Sequence, residues 1–297
     1  MSNTVSVKEV LDSGRFTLYQ IWIWTICFLL AFFDGFDLSL LSVSLPKIAD
    51  YLNSTTAALG LAMSIGNIGA LIGALVLGML ADRFGRKQML LVSAFTFGIF
   101  TLAISFVQSV EQLILFRFIA GLGLGGAVPN ALAFGSEYAP SNKRATLATI
   151  MYAGVAVGAT SAGLSSSYLL PKYGWQSLFL LGGIIACLIG IIALISLPEP
   201  LEFLIKRGRD KDKDRIRKIV SKIKPSYSSI KDIEFVSSEK RLAGVPFKHL
   251  FSDGRATATI LLWMAFVLSY YLQWLILSWT PTLLKQSGAS TQESSLA

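Results

Sequence analysis

The chain alternates between long apolar stretches and short polar ones. Seven stretches are long enough for a bilayer, which takes about 20 apolar residues to cross: roughly 18–48, 58–81, 88–107, 112–137, 144–168, 175–197 and 256–283. Each predicts a helix, because a backbone in hydrocarbon has to satisfy its own hydrogen bonds. The first six follow one another through brief connections, and a polar segment separates the sixth from the seventh. The pattern predicts an all-α membrane protein in three parts: a six-helix half over 1–197, a basic linker over 198–255, and the first helix of a second half over 256–297. Because the chain stops soon after the seventh stretch, it is expected to be the N-terminal portion of a two-half protein. The six-helix half is expected to contain two three-helix units in inverted arrangement.

Charge sharpens this picture. Only 15% of residues are charged and the mean hydropathy is +0.60, whereas soluble domains carry about 25% charged residues. The net charge of +8 would suit a nucleic-acid partner, but its distribution argues against one. With the N-terminus inside, 22 of the 26 basic residues fall on cytoplasmic segments, among them Lys8, Arg15, Arg83, Arg86, Lys87, Lys143, Arg144 and those of the linker. Lys47, Lys172 and Lys285 fall outside, and Arg117 alone lies within a span. This is the positive-inside pattern. It predicts a multi-pass protein of the cytoplasmic (inner) membrane, bathed in membrane lipids, with a cytoplasmic N-terminus and no nucleic-acid partner. The first apolar segment follows a polar stretch and is too long for a cleavable leader. Within the linker, the charge run 206–215 reads as solvated, and Ile216 to Ile223 has the period of an amphipathic surface helix.

Asp34 and Asp37 are acidic residues inside the first span. A carboxylate in hydrocarbon is costly and marks an ion, proton or substrate path. Three residues apart, the two share one helix face. At 1.5 Å per residue, Asp37 lies about 15 Å below Lys47 and Arg117 about 9 Å below Glu111, similar depths that allow them to pair. Burial and mutual repulsion push a carboxyl pair toward proton uptake, while a nearby guanidinium opposes it. An anion competing for Arg117 would free an aspartate to take a proton. The blander expectation is a fixed structural ion pair.

Further cavity candidates are Phe36, which would stack on a flat ring, Asn130 beside the helix-bending Pro129, and Tyr270, Gln273 and Trp274 in the seventh span. The only histidine, His249, lies in the linker, so a histidine relay in the spans is excluded. Trp22, Trp24, Trp175 and Trp279 near span ends read as interfacial anchors. Gly69 and Gly73, Gly121 and Gly125, and Gly154, Gly158 and Ala162 have the four-residue spacing that lets helices approach closely in lipid. Cys27 and Cys187 read as small core residues. The run Gly121-Leu122-Gly123-Leu124-Gly125-Gly126 lacks the strand and the Lys-Ser/Thr of a nucleotide loop. Neither a cofactor, a metal nor an enzymatic activity is expected.

The connection between the second and third spans reads Gly78-Met79-Leu80-Ala81-Asp82-Arg83-Phe84-Gly85-Arg86-Lys87. This string resembles the signature loop of the major facilitator superfamily. Arg117 with the glycines after it resembles that superfamily's second motif. Ser136-Glu137-Tyr138-Ala139-Pro140 through Lys143-Arg144 is similar to its acidic-then-basic loop. Asp34-Gly35-Phe36-Asp37, the run 121–131 and Leu197-Pro198-Glu199 resemble the aromatic acid:proton symporters within it. The resemblance implies a proton-coupled carrier that imports an aromatic carboxylate. Asp34 and Asp37 would couple protons, and Arg117 would meet the anion. Gly78, Asp82, Arg83, Gly85, Arg86, Glu137 and Arg144 would serve a cytoplasmic gate, with Asp82, Glu137 and Arg144 in a charge network near Arg83. The alternatives are a carrier of another organic acid, a drug or metabolite exporter, a transporter-like sensor, and a fragment that does not transport.

Overall fold

The computed structural model describes residues 3–12, 16–225, 233–236, 250–252 and 254–286. They form two compact units, Met1–Ser238 and Glu239–Ala297. The first holds the short strand β1 (Asn3–Ser6), the short helix α1 (Val7–Asp12) and six long helices. These are α2 (Leu18–Tyr51), α3 (Thr56–Phe84), α4 (Arg86–Ile104), α5 (Val110–Tyr138), α6 (Arg144–Tyr173) and α7 (Gln176–Ser196), all long and apolar enough to cross a membrane. The helix α10 (Ala256–Gln286) lies in the second unit and covers the seventh apolar stretch.

Local chemistry sets the helix ends. Thr17 and Gln20 form a reciprocal capping box at the start of α2, which satisfies two orphan amides. The side chains of Thr55 and Ser109 cap α3 and α5. Gly85, at φ +100°, is the single residue between α3 and α4, a conformation that glycine alone adopts readily. Helices α2, α5 and α6 continue through Pro46, Pro129 and Pro171. Their own ladders are interrupted there, yet packing carries α6 on to Tyr173.

Helix α3 packs most extensively on α5, and α2 on α6. Exchanging α2–α4 for α5–α7 converts one of these pairings into the other, which is the relation two inverted three-helix units would have. Glycines make both approaches possible. A Cβ on Gly73 would run into the Leu122 carbonyl, and one on Gly125 into that of Ala70. The α2–α6 contact works the same way, with Gly158 on the Phe32 carbonyl and Gly35 on that of Val155. The spacing pattern had identified three of these four. Gly35 lies between Asp34 and Asp37 and has no glycine at the four-residue spacing to mark it in the sequence.

The linker differs from the expected solvated tether. Helices α8 (Leu201–Arg207) and α9 (Asp210–Ile223) follow α7, and Leu201, Leu204, Ile216, Ile219, Val220 and Ile223 are buried in the same core as Val7, Val10 and Leu11 of α1. The apolar face of α9 is therefore covered by protein, not by a membrane surface. Strand β2 (Ile233–Val236) pairs in parallel with β1, Asn3 opposite Ile233. Two of the expected interfacial tryptophans are core residues: Trp24 packs against Gly135, and Trp175 against Tyr51 and Phe179. Trp22 is exposed, and the side chain of Trp279 lies outside the described residues. Cys27 is buried and Cys187 half-buried, both as free thiols.

Candidate functional site

Asp37, Thr101 and Arg117 meet inside the first unit, where α2, α4 and α5 bring them together. Arg117 Nη1 donates to Asp37 Oδ2 at 2.7 Å, and Thr101 Oγ1 donates to Asp37 Oδ1 at 2.6 Å. Their exposures are 2% for Asp37, 1% for Thr101 and 5% for Arg117, so all three groups are out of water. Both oxygens of the carboxylate are held by charge-assisted bonds, which are shorter and stronger than neutral ones. The guanidinium is less satisfied, since Arg117 Nε is buried without a hydrogen-bond partner. Gly66, with no side chain, lies against it. Arg117 thus engages Asp37 through one terminal nitrogen and keeps a donor in reserve. Leaving a buried donor unmade costs about 1–3 kcal/mol, a cost that an anion bound at this edge would relieve.

Asp34 lies one turn before Asp37 and is half-buried. Among the described residues, no cation lies within ion-pair distance of it. Asp37 and Asp34 are therefore unequal, one clamped and one open. Phe32, Phe33 and Phe36 cluster on α2, with Phe33 and Phe36 ring centroids 5.6 Å apart. Phe36 is buried with its ring toward Gly182 of α7, in helix packing. Asn130 is buried, and its Nδ2 donates to the Gly126 carbonyl of its own helix at 2.8 Å. Tyr270 lies on α10 in the second unit, followed on that helix by Gln273 and Trp274, whose side chains lie outside the described residues. His249 also lies outside them.

A second cluster lies at the end of the bundle where the α3–α4 and α5–α6 connections meet the linker. Arg86 Nη1 is 3.0 Å from Glu137 Oε1 and donates to the Ala133 carbonyl at 3.0 Å. This ties the signature loop to the last turn of α5. Arg144 Nε donates to the Ala139 carbonyl at 3.3 Å. Asp82 and Arg83 are exposed, and Arg83 sits over the Phe84 ring at 5.5 Å. The structure therefore brings Glu137 to Arg86, and among the described residues Asp82 forms no ion pair with Arg144. Gly78 has open space around it. Gly85 faces the ring of Phe203 on α8. Lys87 Nζ donates to the Leu194 and Leu197 carbonyls at the end of α7, at 3.2 and 2.6 Å, which suits a cation at a helix C-terminus. The Tyr138 hydroxyl donates to the Glu199 carbonyl at 2.6 Å.

The sequence reading missed Thr101, Phe203 and the role of Tyr138. Thr101 carried a weak signal, a hydroxyl in a span with few polar groups. Phe203 and Tyr138 carried none, because aromatic residues beside a membrane are ordinary.

Comparison with known proteins gives this geometry a context. The chain is 37% identical over 293 residues to the 4-hydroxybenzoate transporter PcaK of Acinetobacter baylyi, covering 98% of this chain and 64% of that protein. It is 31% identical over 301 residues to the benzoate transport protein of the same organism, covering 99% of this chain and 64% of that one. The chain thus spans somewhat less than two thirds of these relatives. Among solved structures, the proton:xylose symporter XylE has a TM-score of 0.67 at 21% identity, covering 94% of this chain and 65% of that one, a likeness of fold. The profile of the Major Facilitator Superfamily matches residues 27–297. A multi-pass bundle of apolar helices, a matching signature loop and similarity to such carriers along nearly the whole of this chain lead to one assignment: the chain belongs to the Major Facilitator Superfamily.

Proposed function

We propose that the protein is a proton-coupled importer of an aromatic carboxylate in the cytoplasmic membrane, with its N-terminus and basic linker on the cytoplasmic side. The observation that carries this reading is the buried Asp37–Arg117 pair with a spare donor on the arginine. An intramembrane pair of this kind suits a substrate or proton path. The arginine fork matches a carboxylate, and relatives similar along nearly the whole chain are named for 4-hydroxybenzoate and benzoate. A substrate carboxylate draws Arg117 away from Asp37. The bare carboxylate, still held by Thr101, then takes a proton, so anion and proton move together. Asp34, with no cation paired to it among the described residues, supplies a second proton position. Asp82, Arg83, Gly78, Gly85, Arg86, Glu137 and Arg144 serve the cytoplasmic gate, in which the Arg86–Glu137 pair breaks and re-forms. Positive charge concentrated on the loops and linker supports the orientation.

The test is uptake of radiolabelled 4-hydroxybenzoate into cells expressing the gene, with and without a protonophore. Uptake abolished by the protonophore is the expected result. Absence of uptake with the protein present in the membrane would overturn this substrate class. Unchanged transport by both Asp34→Asn and Asp37→Asn would overturn the proton role.

A further inference from the structure

A pocket of about 440 Å³ opens in the first unit between the end of α7 and α9. Its walls carry four cations, Lys87, Arg215, Lys218 and Lys222, against one carboxylate, Glu199. Lys87 is already committed to the α7 carbonyls. The other three stand on α9 at positions i, i+3 and i+7, along one helix face. All three are exposed, and none is in an ion pair among the described residues. Lys222 lies over the Tyr19 ring at 5.0 Å, which holds its ammonium at the pocket wall. Glu199 Oε2 is buried without a hydrogen-bond partner, an acceptor awaiting a donor. The site therefore calls for a ligand that is anionic and also carries a hydroxyl.

A third observation concerns where the pocket opens. Ile195, one of its walls, ends a stripe of Ile184, Leu188, Ile191 and Ile195 along α7. Leu188 is 51% exposed and Ile195 79%. In a bilayer this stripe meets acyl chains, so an apolar track leads from the membrane interior to a cationic pocket at its edge. Basic pockets of this kind beside spanning helices take lipid headgroups.

We propose that this pocket binds an anionic glycerophospholipid of the phosphatidylglycerol type. Its phosphate meets Arg215, Lys218 and Lys222, a headgroup hydroxyl donates to Glu199, and one acyl chain follows the α7 stripe. A choline headgroup has no donor for Glu199 and no net charge. A free phosphate leaves the apolar track unused. The bound lipid bridges α9 to α7 and fastens the linker to the bundle.

The experiment is thermal unfolding and native mass spectrometry of the purified chain in neutral detergent, with phosphatidylglycerol, phosphatidylcholine or inorganic phosphate added. Phosphatidylglycerol is expected to be retained on the order of tenfold better than phosphatidylcholine and to raise the Tm, and inorganic phosphate to do neither. The Lys218→Gln/Lys222→Gln variant should lose that preference, on the order of tenfold for two cations near a headgroup. The Arg209→Gln/Lys211→Gln variant, which removes the same charge from outside the pocket, should keep it. Equal retention of the two lipids overturns the proposal. So does equal loss in both double variants, which would mean diffuse attraction. A Tm shift produced by inorganic phosphate alone would overturn it in favour of a soluble anion.

Discussion

Asp37 is a buried carboxylate held by two donors, and its neighbours should respond in a graded way. Arg117→Met leaves a buried charge uncompensated, which costs about 3–5 kcal/mol. Thermal unfolding of the purified chain should register this as a large loss of Tm, and Asp37→Asn added to Arg117→Met should restore much of it. Thr101→Val removes one hydrogen bond to a charged group, worth about 1.5–3 kcal/mol, and Thr101→Ser should recover it. If Thr101→Val unfolded like the parent, the bond from Thr101 would contribute nothing to the fold. The ion pair was legible in the sequence, since depth counting along two helices put Asp37 and Arg117 level. Thr101 was not, because a hydroxyl that bonds a distant carboxylate looks the same in sequence as one that bonds its own helix. The same limit applies to Phe36 and the tryptophans. Aromatic identity says that a side chain will find apolar company, and only the assembled helices decide whether that company is substrate, lipid or protein.

At the scale of an element, the helix contacts are set by what is missing from their faces. In Gly125→Val a side chain meets the Ala70 carbonyl in place of open space, and backbone cannot give way as a flexible side chain can. A loss of about 1–3 kcal/mol is expected from such overpacking, read as a lower Tm. Gly163→Ala in α6 is the opposite case. Nothing lies within 4 Å of the added methyl, and the unfolded chain loses freedom, so a gain of about 0.4–1 kcal/mol is expected. Gly78→Ala in α3, also into open space, should likewise leave the fold undamaged or slightly stabilised. If it nevertheless stops transport, the glycine serves the motion of the gate and not the resting fold. The helices themselves were readable because length and apolarity specify a span almost alone. The partner of the amphipathic α9 was not readable, since its apolar period suits a lipid surface and a protein surface equally well.

For the molecule as a whole, α1, α8, α9 and the β1–β2 pair form a cap fastened to the end of the bundle. Asp12 fastens it to the α5–α6 connection, and Asp212 ties its helices α8 and α9 together. The Ser141 amide donates to Asp12 at 2.7 Å, and its hydroxyl at 2.8 Å. Arg207 grips Asp212 through two nitrogens, with Nε at 2.7 Å. The hydrogen bond from the Ser141 amide holds Asp12 below its ordinary value of 3.8, and the bond from Arg207 does the same for Asp212. A carboxyl lowered in the folded state contributes stability that is whole above the ordinary value and is lost as the pH falls through the lowered one. Amide exchange over 201–223, corrected for intrinsic rates, should therefore be steady from pH 7 to 5 and accelerate only below about pH 4. Asp212→Asn should accelerate it at neutral pH. Exchange that rose already between pH 7 and 5 would assign the attachment of the cap to other groups.

The pairing of Asn3–Ser6 with Ile233–Val236 also orders events in time. Residues Asn3–Ser6 have their partner strand some 230 positions later in the chain. At translation speeds of 5–20 residues per second they wait roughly 10–50 s, while six helices enter the bilayer. The strand closes only after the linker has been made on the same side as the N-terminus. A nascent chain that missed one crossing would leave the two strands on opposite faces of the membrane. The two-stranded sheet thus acts as a parity check on insertion, closing only when an even number of crossings, such as the six of α2–α7, separates its strands.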